Sequence, residues 1–126
     1  MKTVVKASIT KDDKYLIVLR SKDERPMPLH WDFSGGKLEE NEDPIKDLKR
    51  EVLEETFLKI DECILAGEYT VDIEGKTFLF KIYEAKLTSN EKNIKLNQEY
   101  QEFKWATKEE IAELTINPFL NYYLKI

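Results

Sequence analysis

Apolar residues open the chain in two short β-branched and aliphatic runs, residues 4–10 and KYLIVLR at 14–20, with the turn-forming Lys11-Asp12-Asp13 between them. This spacing predicts two strands joined by a tight turn. The mixed-charge stretch SKDERPMPLH, with two prolines, predicts a loop that includes His30, and WDFSGGKLEE predicts short extended pieces around Gly35 and Gly36. Without a Cβ, this glycine pair admits either a tight turn or the close approach of backbone to a ligand.

The period changes at Asp43-Pro44, a side-chain cap followed by a residue whose fixed φ suits a first helical turn, so a helix is expected to about Thr56. At 100° per residue, Ile45, Leu48, Val52 and Thr56 gather on one side, while Asp47, Glu51, Glu54, Glu55 and Leu58 gather roughly 120° away. Arg50 reaches Glu54 at i+4, which leaves Asp47, Glu51 and Glu55 as a column of like charge. Each such pair repels by roughly 0.2–0.5 kcal/mol. A solvated face usually alternates sign, so a bound cation is the expected compensation.

Farther on, CILAGEYTVDI and TFLFKIYEAKL read as long strands meeting in a hairpin at Glu74-Gly75-Lys76. YQEFKWA reads as another strand, and ATKEEIAEL as a helix opened by a capping box of Thr107 and Glu110. The tail INPFLNYYLKI predicts a last short helix whose aromatic residues pack in the core.

Composition adds bounds. With 126 residues, 41% hydrophobic and 36% charged, the chain is expected to fold as a single domain around one core. No apolar run approaches the ~20 residues needed to span a bilayer, so the expectation is a soluble cytoplasmic protein with no membrane partner. Cys63, the lone cysteine, excludes an internal disulfide and reads as strand filler. A net charge of −5 argues against gripping duplex nucleic acid. An acidic protein that handles phosphate anions needs a divalent metal to reverse the local field.

Set out by spacing, Gly36, five residues, Glu42, seven residues, Arg50-Glu51-Val52-Leu53-Glu54-Glu55, two residues and Leu58 resemble the Nudix box of the Nudix hydrolases, G-x5-E-x7-R-E-U-x-E-E-x-G-U with U aliphatic. At this chain's own composition the six glycine, arginine and glutamate positions coincide by chance at roughly 3 × 10⁻⁵ per chain. Trp31 to Lys37 is similar to the family's W-x-F-P-G-G-x, and Glu102 with Trp105 to its E-x-x-W, so the resemblance covers most of the chain. Two positions depart from it. Ser34 replaces proline, which is expected to loosen the turn slightly. Phe57 replaces the glycine that ends the helix in a left-handed conformation, at a cost of about 1–2 kcal/mol for a residue with a side chain. The helix is therefore expected to end differently, with Phe57 continuing it or turning into the core.

The resemblance implies an α/β Nudix fold, a mixed β-sheet sandwiched between α-helices, and metal-dependent hydrolysis of a diphosphate linkage. Mg²⁺, with Mn²⁺ as substitute, prefers hard oxygen ligands. By resemblance these are Glu51, Glu54 and Glu55 with the carbonyl of Gly36. Glu102 is a further ligand or the base that takes the water's proton, a role open also to Glu51 or Glu54. Arg50, only a donor, orients the site through Glu54 or Glu42. Arg20 and Lys37 are candidates for holding phosphate oxygens, and Asn117, or Asn121 in its place, for reading a base. The proline or tyrosine that marks ADP-ribose and diadenosine polyphosphate enzymes about fifteen residues beyond the box is absent, since Ile73 and Glu74 stand there. The G-G-K and the late asparagine look MutT-like, implying a nucleoside triphosphate pyrophosphohydrolase that works as monomer or homodimer. A nucleotide sugar or dinucleotide hydrolase, and a non-catalytic nucleotide sensor, are the alternatives.

Overall fold

A computed structural model describes all 126 residues. Its elements run β1 (Lys2–Ser8), β2 (Thr10–Lys11), β3 (Lys14–Arg20), β4 (Trp31–Asp32), β5 (Gly35–Lys37), α1 (Pro44–Thr56), β6 (Ile60–Ile73), β7 (Lys76–Leu87), a 3-10 turn at Glu91–Asn93, β8 (Tyr100–Ala106), α2 (Lys108–Ile111) and α3 (Phe119–Leu124). One sheet has the order β5-β1-β7-β6; β1 is parallel to β7, and the other pairings are antiparallel. In the second sheet β3 pairs antiparallel with β2, β4 and β8.

Alternation along β1 and β7 gives the mixed sheet two apolar faces. Val5, Ala7 and Tyr83 pack with Leu48 and Val52 of α1. Val4, Phe78, Phe80 and Ile82 pack on the other face with Phe119, Leu120 and Leu124 of α3. The sheet is thus held between helices, as expected, but the core is two clusters rather than one, because a sheet covered on both sides buries side chains of both parities.

Two expectations fail locally. The helix opened by Thr107 stops after one turn, because the chain is drawn into extended pairing beside β4. Trp31 N–H donates to Thr115 O and Asn117 N–H donates to Trp31 O, both at 2.9 Å. Phe57, in turn, neither continues α1 nor enters the core. It adopts the left-handed conformation itself, φ 63°, with its N–H on Leu53 O and its ring 59% exposed. The surrounding bonds impose this ending: Thr56 Oγ1 donates to Val52 O and accepts from Leu58 N–H. Lys95 N–H and Asn97 N–H bond the carbonyls of Thr56 and Glu55, at 2.9 and 3.1 Å. Those carbonyls would otherwise be left without partners at a helix terminus.

Candidate active site

Asp43 accepts from the Ile45 N–H at 3.0 Å and Pro44 fills the first turn, so α1 starts where its acids rise toward β5. Glu55 is buried. Its Oε1 accepts from Ser34 Oγ at 2.7 Å and from Gly35 N–H at 3.0 Å, while its Oε2 has no partner. Glu51, one turn earlier, neighbours Glu55 and lies against Gly36, where a Cβ would stand 2.8 Å from the Glu51 carboxyl carbon. The close approach of Gly35 to β1 is equally intolerant: a Cβ there would meet Val5 O at 2.0 Å. The glycine pair therefore packs backbone against a strand on one side and a carboxylate on the other. Ser34, expected only to loosen the turn, instead supplies a hydroxyl donor to Glu55 that proline lacks.

Burial pushes the Glu55 carboxyl up to about 9, and the charge of Glu99 adds to this; the Lys6 charge and the bonds from Ser34 and Gly35 oppose it. Glu51 is also raised, by burial first, with Asp47 and Glu54 adding to it, against the neighbouring Glu55 carboxyl and the Arg50 charge. At neutral pH, without metal, Glu55 therefore keeps its proton.

These acids open on a cavity of about 300 Å³. Its apolar wall is Val4, Met27, Ile73, Phe78 and Phe80, and its polar wall includes Lys6, Arg20, Asp32, Lys37, Glu99 and Asn117, beside Gly35 and Gly36. A second concavity, about 750 Å³, is larger but contains none of the box acids, and its cations are neutralised, Lys11 by Glu91 and Lys86 by Glu62. Size alone would select it; chemistry selects the smaller one.

A family model described as NUDIX domain matches residues 2–125. The chain belongs to the Nudix hydrolases. A nucleoside triphosphatase of Escherichia coli, NudI, is 30% identical over 92% of this chain and 89% of its own. A NUDIX hydrolase from Nitrosomonas europaea aligns with a TM-score of 0.84 at 27% identity, over 98% of this chain and 86% of that one. The MutT protein from Methanosarcina mazei shares the fold, with a TM-score of 0.82 at 22% identity over 98% and 90% of the two chains.

In this Nudix hydrolase no three acidic side chains converge on one point; Glu51 and Glu55 do meet. Glu54 turns outward, both its oxygens 3.1 Å from Arg50 Nη1. The column at Asp47 and Glu51 is compensated after all, because Arg50 Nη2 donates to both; Glu55 is the member left unpaired by charge. Glu42 does not meet Arg50 but accepts from Glu39 N–H at 3.1 Å, closing the loop before the helix. Arg20 is not a solvated charge: Nε donates to Pro26 O and Met27 O at 3.0 and 3.2 Å, and Nη1 lies 3.8 Å from Asp32. Lys37 is exposed at the cavity, Asn117 is buried in its wall, and Asn121 lies outside it, bonded to Ile126 O.

Glu102 is exposed on β8, opposite Leu19, and does not line the cavity. The register shifts by one residue between Leu19 and Arg20, a β-bulge at Gln101 that resets which side successive side chains take. Glu99, just before β8, lines the cavity instead. An Asx turn, Glu99 N–H to Asn97 Oδ1 at 3.0 Å, and the bond from Ser21 N–H to Glu99 O at 2.9 Å fix it there. Lys6 and Asp32 are equally unforeseen, although a lysine inside the apolar run VVKAS is the kind of signal that marks a buried charge.

The acids fit a divalent cation. All the donors are hard oxygens, a buried Glu55 oxygen lacks a partner, and the Gly36 backbone cradles Glu51.

Proposed function

We propose that this Nudix hydrolase cleaves a nucleoside triphosphate to the monophosphate and pyrophosphate, using Mg²⁺ or Mn²⁺. The observation that carries the reading is that the Glu51–Glu55 pair, with its unpartnered oxygen, opens into the same cavity as Phe78, Phe80 and Asn117. A volume of about 300 Å³ sits at the lower end of the ~300–1,000 Å³ seen for small ligands. It suits one nucleoside with its phosphates leading outward better than a dinucleotide. The name of the NudI relative, a nucleoside triphosphatase, points the same way.

Glu51, Glu55 and the Gly36 carbonyl would hold the ion, with Glu54 joining when Arg50 releases it. The ion, when bound, neutralises phosphate charge and lowers the pKa of the attacking water. Phe78 and Phe80 receive the base, Asn117 reads its edge, and Arg20 and Lys37 hold phosphate oxygens. Glu99 takes the place foreseen for Glu102, since it lines the same cavity as the acid pair and its charge acts on Glu55. It serves as a further ligand or as the base for the water's proton. No helix is long and apolar enough to cross a membrane, and we place the enzyme in the cytoplasm.

The test is an assay of purified protein with Mg²⁺ against nucleoside triphosphates, ADP-ribose and dinucleotides, with the products identified. Pyrophosphate from one triphosphate class is expected. AMP from ADP-ribose, or no turnover of any substrate, overturns the reading.

A further inference from the structure

We propose that Lys6 is the residue that takes the α-phosphate of the bound nucleotide, so that it separates a subsite for the base from the acid pair. The proposal rests on the nucleoside triphosphate reading above. Val4 and Lys6 are two residues apart on β1 and share a face, roughly 6.6 Å apart along the strand. Val4 is paired with Phe80 and belongs to the apolar wall. Lys6 is paired with Gly35, whose N–H bonds Glu55. A nucleotide with its base on the Phe78–Phe80 wall and its diphosphate linkage at Glu51 and Glu55 must therefore pass its first phosphate beside Lys6.

The local bonding leaves Lys6 free for this. Its side chain is only 4% exposed, and Nζ donates to Asp32 Oδ2 at 3.0 Å and to Phe33 O at 3.2 Å. An ammonium has three N–H groups, so one remains without a protein acceptor. Asp32 does not depend on Lys6 alone, since it also accepts from Asn117 Nδ2 at 3.3 Å and from Phe33 N–H at 2.8 Å, with Arg20 Nη1 3.8 Å away. Arg20 is also shared with Glu24, 3.9 Å away, and the remaining N–H of Lys6, secluded from water, is the donor open to an arriving phosphate oxygen.

Metal-free binding measured by calorimetry tests this, with the monophosphate and the plain nucleoside of the best-hydrolysed triphosphate as probes. The wild type is expected to prefer the monophosphate by about tenfold or more, the worth of one charge-assisted bond. Lys6→Gln, which keeps a donor for Asp32, should reduce that ratio to about twofold or less with nucleoside affinity unchanged, and Lys6→Arg should restore it. A purely structural lysine would alter both ligands alike. A ratio preserved in Lys6→Gln overturns the assignment and leaves the function standing; a wild type that binds neither probe overturns both. Should the variants not fold, the side-chain NMR signal of Lys6 in the wild type decides. Movement with monophosphate and not with nucleoside supports the proposal, and no movement overturns it.

Discussion

Glu55 carries the largest conflict in the chain: a buried carboxyl with two donors on one oxygen and none on the other. Its proton is held up to about 9 in the fold against an ordinary value of 4.5. Between those values the unfolded chain has released the proton and the folded chain has not. The sign follows: the contribution of Glu55 to metal-free stability is complete below 4.5 and is lost as pH rises through the window to about 9. Glu55→Gln removes that decline while keeping acceptors for Ser34 and Gly35. Its melting temperature should exceed that of the wild type by a margin that grows from pH 5 toward pH 9, in scans with chelator. The same variant should lose turnover by about 10²-fold or more in Mg²⁺. A margin that shrinks with rising pH would contradict this account of Glu55. At this scale the sequence was informative about residue types within the box and silent about Lys6 and Asp32, because nothing local says that a strand lysine meets an aspartate 26 positions away.

Among elements, α1 was legible to its last residue, since its start, its apolar stripe and its acid face are all local properties. Its ending was not. Phe57 takes a left-handed conformation because the flanking bonds of Thr56, Lys95 and Asn97 leave no other path. Its ring buries little, so Phe57→Gly should stabilise the fold by about 1 kcal/mol, the strain relieved less glycine's own entropy cost. Urea titration measures it, and a loss of stability would mean that the exposed ring contributes more than its surroundings indicate. The β8 bulge was likewise invisible, because a register shift depends on the partner strand. It leaves Glu102 outside the cavity that Glu99 lines, and on the proposed function the distant acid is Glu99. Glu99→Gln should therefore reduce kcat by about 10²-fold, whereas Glu102→Gln should stay within about twofold. Steady-state rates on one triphosphate compare them, and a reversed order would return the role to Glu102.

For the whole molecule, periodicity and turn chemistry were enough to anticipate strands and the β6–β7 hairpin, while the mixed sheet between helices was anticipated through the resemblance to the Nudix box. They could not say that two clusters form, or that residues 115–117 run extended beside β4. On the proposed function, the acid pair ties the stability of this assembly to a divalent ion. Saturating Mg²⁺ at pH 7.5 should raise the melting temperature, as any ligand selective for the folded state does, and the rise should vanish in Glu55→Gln. Equal rises in both proteins would place the ion elsewhere.

The amides of Lys95 and Asn97 grip the final carbonyls of α1, and the same short segment delivers Glu99 to the cavity. The helix bearing two of the acids and the loop bearing the third are thereby stitched together, and neither can drift without tugging on the other. Those two backbone protons become natural strain gauges: their exchange with deuterated solvent should slow when an ion draws the acids inward, reporting occupancy without any label at the reacting centre.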